Sequence, residues 1–409
     1  MTRNHSAEHC RNECPLPKNL RRSRERGIPV TFAIRRWVPA FAGTTLSSIF
    51  CFSHFRYSRI IFNGHSNKMP RRQLTQLLLV LALATIPALA RAQLNMYCSS
   101  PNTAWCQGMA IGFEKATGTR VSVIQKATGE MFAQIKAERA NPKGDVWWAG
   151  PADSYLQAAD DGLLEEYRSA NLTELYDWAR QITKASAGRV AGVYGGILAL
   201  GYNTEIGNKK KLPVPRCWKD LVNPVYKGEV MLGNPTTSGT AYLMLATLVQ
   251  VFGEDDAFRL MADINRNVTS YARSGIGPMT AITRGEVYVG STVLHGVINE
   301  IVRGFPVAPI LPCEGVGYEV GGVAIIKGSR NLEAAKKFLD WSLTADAQKI
   351  GLDLKEFAIP TNRNVVLPPM VPKLTDVKVI DYDFSKFGAS ETRKRLLERW
   401  EKEINSAPK

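Results

Sequence analysis

Gly192-Val-Tyr-Gly-Gly-Ile-Leu-Ala-Leu-Gly-Tyr-Asn203 is an unbroken apolar run, longer than an ordinary strand and too rich in glycine for a stable helix. It predicts a long strand that crosses from one domain into another. Upstream, strand-length apolar stretches alternate with amphipathic helical ones. Strands are expected over 94–98, 120–124 and 145–148. The intervening helices, 104–117, 130–140 and 154–161, are closed by Gly118, Asn141-Pro142 and Gly162. Downstream, a polar, Pro-rich connection over 208–216 leads to strands over 229–232, 287–291 (with 292–294 continuing it) and 321–326, the last preceded by an extended return over 306–312. Helices are expected over 241–251, 257–265, 279–283, 331–343 and 345–351, with a charged amphipathic terminal helix over 391–404. The alternation predicts an α/β fold with a mainly parallel sheet, and the order fits two lobes, the second inserted into the first. A chain of 409 residues is long enough for both.

Composition is ordinarily globular, which excludes collagen-like, disordered and multi-span membrane classes. The net charge of +15 invites a polyanion-binding reading, but its distribution argues against one. Residues 1–92 hold 15 of the 52 Lys/Arg and three of the 37 Asp/Glu, leaving a net of only +3 on residues 93–409. The globular part therefore needs no nucleic-acid partner to explain its charge. Met69-Pro70-Arg71-Arg72-Gln73, the apolar run 74–89 and Ala90-Arg91-Ala92 form the three parts of a secretory signal peptide over 69–92, cleaved before Gln93. A membrane anchor is the alternative, although the apolar run is shorter than the roughly 20 residues that span a bilayer. The residue directly after the cleavage site is Gln93 and not cysteine, which argues against a lipoprotein. Residues 1–68 show no helical or strand period; they are expected to be translated upstream sequence, with Met69 the start, or else an extended leader.

Four cysteines remain beyond the leader: Cys98, Cys106, Cys217 and Cys313. In an oxidising compartment they allow two disulfides in three connectivities. Cys98 and Cys106 bracket a short strand-to-helix loop, which favours that pair and leaves Cys217 with Cys313; free buried thiols are the alternative. A cysteine metal site is weaker still, because residues 93–409 contain a single histidine, His295, and no C-x-x-C.

Several strand ends run into short Ser-, Thr- and Gly-rich loops, five loops in all. They are Cys98-Ser99-Ser100-Pro101, Ala127-Thr128-Gly129-Glu130, Trp148-Ala149-Gly150-Pro151, Asn234-Pro235-Thr236-Thr237-Ser238-Gly239-Thr240 and Arg273-Ser274-Gly275. Helix starts leave backbone N–H groups unpaired and partly positive, hydroxyls add donors, and glycine lets a ligand approach the backbone. In open α/β sheets such loops sit where ligands bind. Each loop alone is explained by N-capping; five together point to a ligand cradle. Glu165-Glu166 reads as a solvated loop face. Of Trp147-Trp148, the second is expected either to wall a pocket or to join the core. The phosphate-loop, nucleophile-elbow and H-E-x-x-H motifs are all missing, and His295 has no second histidine to pair with.

Thr128-Gly-Glu130, Gly144-Asp-Val-Trp-Trp-Ala-Gly150, Pro235-Thr-Thr-Ser-Gly-Thr-Ala241, Gly317-Tyr-Glu-Val-Gly-Gly322 and Ala334-Ala-Lys-Lys-Phe-Leu-Asp-Trp341 resemble the extracellular solute-binding proteins of ABC importers. The resemblance spans about residues 94–405 and is nearest the ferric-iron, phosphonate and sugar-phosphate branch. It implies a periplasmic, monomeric, non-enzymatic protein with a two-lobe type II binding-protein fold and crossing hinge strands. The implied lobes are 94–203 with 317–409, and 204–316, closing on a solute and docking on a membrane permease. Carried over by position, the ligand contacts are Ser99, Ser100, Thr128, Gly129, Trp148, Gly150, Thr236, Thr237, Ser238, Gly239, Thr240 and Ser274, with Tyr194, His295, Tyr318 and Glu319 as second candidates. Ferric-binding relatives use adjacent tyrosines, and this chain has none: Tyr271, Tyr288 and Tyr318 stand apart. Hydroxyls and backbone N–H groups suit an oxyanion, such as a phosphonate or organophosphate, better than bare Fe³⁺. No cofactor is expected; ferric iron enters as an alternative cargo. Two other classes stay open: an exported enzyme using His295 or Glu319 as acid or base, and a sensing subunit that docks on a receptor.

Overall fold

The computed structural model describes residues 93–408; the expectations for the leader and the signal peptide fall outside this range. The first half alternates as predicted: β1 (Gln93–Cys98), α1 (Thr103–Thr117), β2 (Arg120–Gln125), α2 (Thr128–Ala137), β3 (Val146–Pro151) and α3 (Ala152–Asp160). Gly118 ends α1 in the left-handed region, at a φ of 73°, where an L side chain would be strained. Next come α4 (Asp177–Ala185), β4 (Ala191–Asn203), α5 (Thr204–Lys210), β5 (Val230–Gly233), α6 (Gly239–Phe252), α7 (Glu254–Asn265), β6 (Val268–Ala272) and α8 (Gly277–Thr283). The remainder is β7 (Val289–Val293), α9 (Leu294–Val302), β8 (Val307–Ile310), β9 (Tyr318–Ile325), α10 (Leu332–Ser342), α11 (Ala345–Asp353), β10 (Ile359–Pro360), α12 (Phe384–Gly388) and α13 (Ser390–Trp400). No helix among the described residues is long and apolar enough to cross a membrane.

The strands run in the order β2-β1-β3-β9-β4-β7-β5-β6, with β8 and β10 also pairing β4. β1 is parallel to β2 and β3, and β5 is parallel to β6 and β7. The sheet as a whole is mixed, which corrects the mainly parallel expectation. β9 lies antiparallel to both β3 and β4, and β4 antiparallel to β7 and β8. Parallel pairing needs a crossover between strands, and β4 and β9 are instead the long strands that traverse the molecule. The first half of β4 pairs with β9 from Ala191 to Ile197; its second half pairs with β7 from Leu198 to Tyr202. One thirteen-residue strand, buried over nearly its whole length, thus belongs to both parts of the sheet.

Both expected disulfides are present, Cys98–Cys106 and Cys217–Cys313. The first closes an eight-residue separation around the Ser99-Ser100 turn. Changing both Cys98 and Cys106 to Ser is expected to lower unfolding free energy by about 2 kcal/mol, read by urea denaturation. An unchanged midpoint would assign the bridge no role in stability.

The terminal helix is more than a lid. Trp400 is buried edge-on to Tyr271 with ring centroids 5.3 Å apart. Arg399 pairs with Glu254 at 3.2 Å and Asp255 at 2.9 Å, and its guanidinium lies 4.2 Å from the Phe258 ring centre. α13 is thereby strapped onto α7.

Candidate functional site

All five Ser-, Thr- and Gly-rich turns contribute to one cavity of about 270 Å³. Ser99, Ser100, Thr128, Gly150, Ser238, Gly239, Thr240 and Ser274 line it, together with Tyr194, His295 and Glu319. The turns are held open to a ligand by their own hydrogen bonds. Ser99 Oγ accepts the Trp147 indole N–H at 2.8 Å, and Ser100 Oγ accepts the Asn102 N–H at 3.1 Å. Both hydroxyls keep their own hydrogen for another acceptor. No side chain caps the first turns of α2 and α3, whereas Ser238 caps α6 by accepting the Ala241 N–H at 3.2 Å. Gly150 turns the chain at a φ of 95°; a Cβ there would stand 2.6 Å from Thr128 Oγ1.

The polar floor is acidic. Glu319 is 2% exposed; Tyr194 donates to its Oε1 at 3.1 Å and Thr240 to its Oε2 at 3.2 Å. Burial raises the Glu319 carboxyl to about 7, against the lowering effect of those two hydrogen bonds. Burial also holds His295 below its ordinary value, opposed by the charge of Glu356, whose Oε1 lies 3.7 Å from His295 Nε2. Burial first, then the Glu319 charge, holds the Tyr194 phenol well above its ordinary value. Lys126 adds a cation to the wall. Among the described residues, the one tight His/Cys/carboxylate group is Cys217–Cys313–Glu314, and both its sulfurs are spent on the disulfide.

Five predicted residues lie outside the lining. Tyr318 precedes Glu319 on β9, so it faces the other side of the sheet, where its hydroxyl donates to Gln181 at 3.1 Å. Trp148 is fully buried behind Trp105, ring centroids 4.9 Å apart; Trp105 is the indole that reaches the cavity. Thr236 and Thr237 build the loop instead. Asn234 Oδ1 accepts the Thr236 N–H at 2.8 Å, and Thr237 Oγ1 donates to the Arg273 carbonyl at 2.8 Å. Gly129 donates its N–H to the Thr237 carbonyl at 2.9 Å, so the starts of α2 and of the α6 loop touch directly. Arg273 adds an exposed ion pair to Glu130 beside that contact.

Sequence reasoning missed Trp105, Gln125, Lys126, Asn299 and Glu356. Glu356 takes hydrogen bonds from Asn102 at 2.8 Å and from Asn299 at 3.0 Å, so it is tied to both α1 and α9.

Residues 145–386 match the bacterial extracellular solute-binding protein family. An uncharacterised protein of Haemophilus influenzae is 40% identical over 78% of this chain and 92% of its own length. The periplasmic binding protein AfuA of Actinobacillus pleuropneumoniae, solved with exogenous fructose-6-phosphate bound, superposes with a TM-score of 0.76 at 40% identity, covering 78% of this chain and 100% of that one. The major ferric iron-binding protein of Neisseria meningitidis serogroup B is 25% identical over 78% of this chain and 96% of its own. The chain belongs to the bacterial extracellular solute-binding proteins, the two-lobed α/β components that capture small solutes for ABC transporters and are not enzymes.

Proposed function

We propose that the cavity captures a small phosphorylated polyol, of the sugar-phosphate class, for delivery to an inner-membrane permease. The observation that carries this reading is the coexistence of two opposite polar surfaces in one cavity. Hydroxyls and helix starts offer donors to a phosphate. The Glu356 carboxylate offers acceptors, which a phosphate cannot use and a hydroxylated carbon chain can. A cargo with both ends satisfies both surfaces. The fructose-6-phosphate in AfuA supports the same class.

Direct ferric binding is disfavoured by the tyrosines. Tyr194 is the one tyrosine in the lining, and its phenol is kept protonated by burial and by Glu319. No pair of phenolates is at hand for a hard trivalent cation.

In this reading residues 94–203 with 317–409 form one lobe and 204–316 the other, hinged on β4 and β9, with export directed by the 69–92 segment. Closure brings Gly129 against Thr237 and Glu130 against Arg273. Thermal unfolding in the presence of hexose 6-phosphates, free hexoses, inorganic phosphate and ferric citrate tests the proposal. Hexose 6-phosphates are expected to raise Tm by mass action more than either half of the cargo alone. A rise with ferric citrate and none with any phosphate ester would overturn it.

A further inference from the structure

We propose that closing on a phosphorylated cargo takes up one proton from solvent onto the Glu319 carboxylate. The inference rests on the anionic cargo proposed above.

Glu319 is the midpoint of a hydrogen-bonded chain linking four elements. The Gly150 N–H at the end of β3 donates to the Tyr194 oxygen on β4 at 3.3 Å. Tyr194 donates to Glu319 on β9, and Thr240 at the start of α6 donates to the other carboxylate oxygen. Both oxygens are bound by neutral groups, and among the described residues no cation forms an ion pair with the carboxylate. The surroundings make that charge costly. Asp153 on α3 and Glu356 beyond α11 both add negative potential. From α9 comes His295, which a Cβ at Gly196 would approach to 2.9 Å, the same distance as Glu319 Cγ, and which burial keeps neutral. Tyr194 brings no positive charge, and α6 contributes only the Thr240 hydroxyl. Lys126 stands on the cavity wall as the opposing charge. A phosphate dianion entering the same 270 Å³ space repels an ionised Glu319 across a poorly screened gap. Empty, the carboxyl already sits near about 7, so a second negative charge raises it further.

Protonation also changes what the wall offers. Ionised, Glu319 consumes the Thr240 O–H. Protonated, it donates its own hydrogen to Thr240 Oγ1, and the Thr240 hydrogen is released to point into the cavity. A buried acceptor becomes, through one rotation, a donor for the phosphate.

The experiment titrates wild type and Glu319→Gln with a hexose 6-phosphate from about pH 7.5 to about 9, where the ester is already a dianion. Wild-type Kd is expected to rise by up to about tenfold per pH unit, and the Gln variant to stay flat. Thr240→Ser is expected to keep the slope and Thr240→Val to reduce affinity. Should Glu319→Gln not bind, calorimetry of the wild type in two buffers of different ionisation enthalpy counts the protons directly. Equal slopes in both proteins, or binding without net proton uptake, would overturn the coupling alone. Failure of every hexose 6-phosphate to bind wild type would overturn the cargo reading itself, and the coupling with it.

Discussion

Gly129→Ala is expected to weaken cargo binding by up to about 100-fold while leaving the empty protein folded. The methyl group would stand 2.2 Å from the Thr236 carbonyl oxygen and 3.0 Å from Thr237 Cα and oxygen. All three are backbone atoms, so no side chain can swing aside. The obstruction exists only where the α2 start meets the loop before α6; within α2, alanine is the better helix former. Overlap of this kind costs about 1–3 kcal/mol or more, and each 1.4 kcal/mol is a factor of ten in affinity. Calorimetry with the hexose 6-phosphate reads the loss, and small-angle scattering with saturating cargo reads whether the lobes stay apart. Wild-type affinity in the variant would remove this contact from closure.

The second large effect lies behind the cavity. Arg393 on α13 and Asp153 on α3 are each 1% exposed. The Arg393 guanidinium rests 4.0 Å from the Tyr242 ring centre, and its Nε and Nη1 have no hydrogen-bond partner among the described residues. Asp153 Oδ1 accepts the Tyr382 hydroxyl at 2.9 Å, and its Oδ2 has no hydrogen-bond partner among the described residues. Burial raises the Asp153 carboxyl, and the Arg393 charge is the largest influence lowering it again. Arg393→Met is expected to cost about 3–5 kcal/mol, because it strands a buried carboxylate without its counter-charge. A carboxyl whose folded-state pKa is raised binds its proton more tightly when folded, so its contribution to stability falls as pH rises above the unfolded value. The deficit should therefore be smaller near pH 5 than near pH 8. Adding Asp153→Asn should recover most of it, since replacing both members of such a pair is often nearly neutral. Urea denaturation of the four proteins completes the cycle; strictly additive losses would mean the two charges do not interact.

How much was legible in the chain follows from the range of the forces involved. The five cavity turns are local patterns, each a strand end, a glycine or hydroxyl, and a helix start, and each formed where the pattern stood. The crossing strand was legible for the same reason. The direction of pairing was not, because apolar strands read alike whichever way their neighbours run. α9 was hidden because it starts directly after the last residue of β7, with Val293 at its cap, and no capping side chain marks the change. Glu356 was beyond reach: it stands in a coil without a motif, and its partner Asn102 is 254 residues away. Tyr318 and Glu319 were named together from one motif, yet the two-residue period of a strand allows only one of them into the cavity. A local code ends where side chains from distant segments must meet.

The Cys98–Cys106 bridge adjoins two serines that line the cavity, Ser99 and Ser100. The bridge adds a covalent clamp to the hydrogen bonds that already hold their turn. On the proposed reading of cargo and export, a bridge that forms only in an oxidising compartment would complete the cradle after the molecule has left the cell's own phosphate esters.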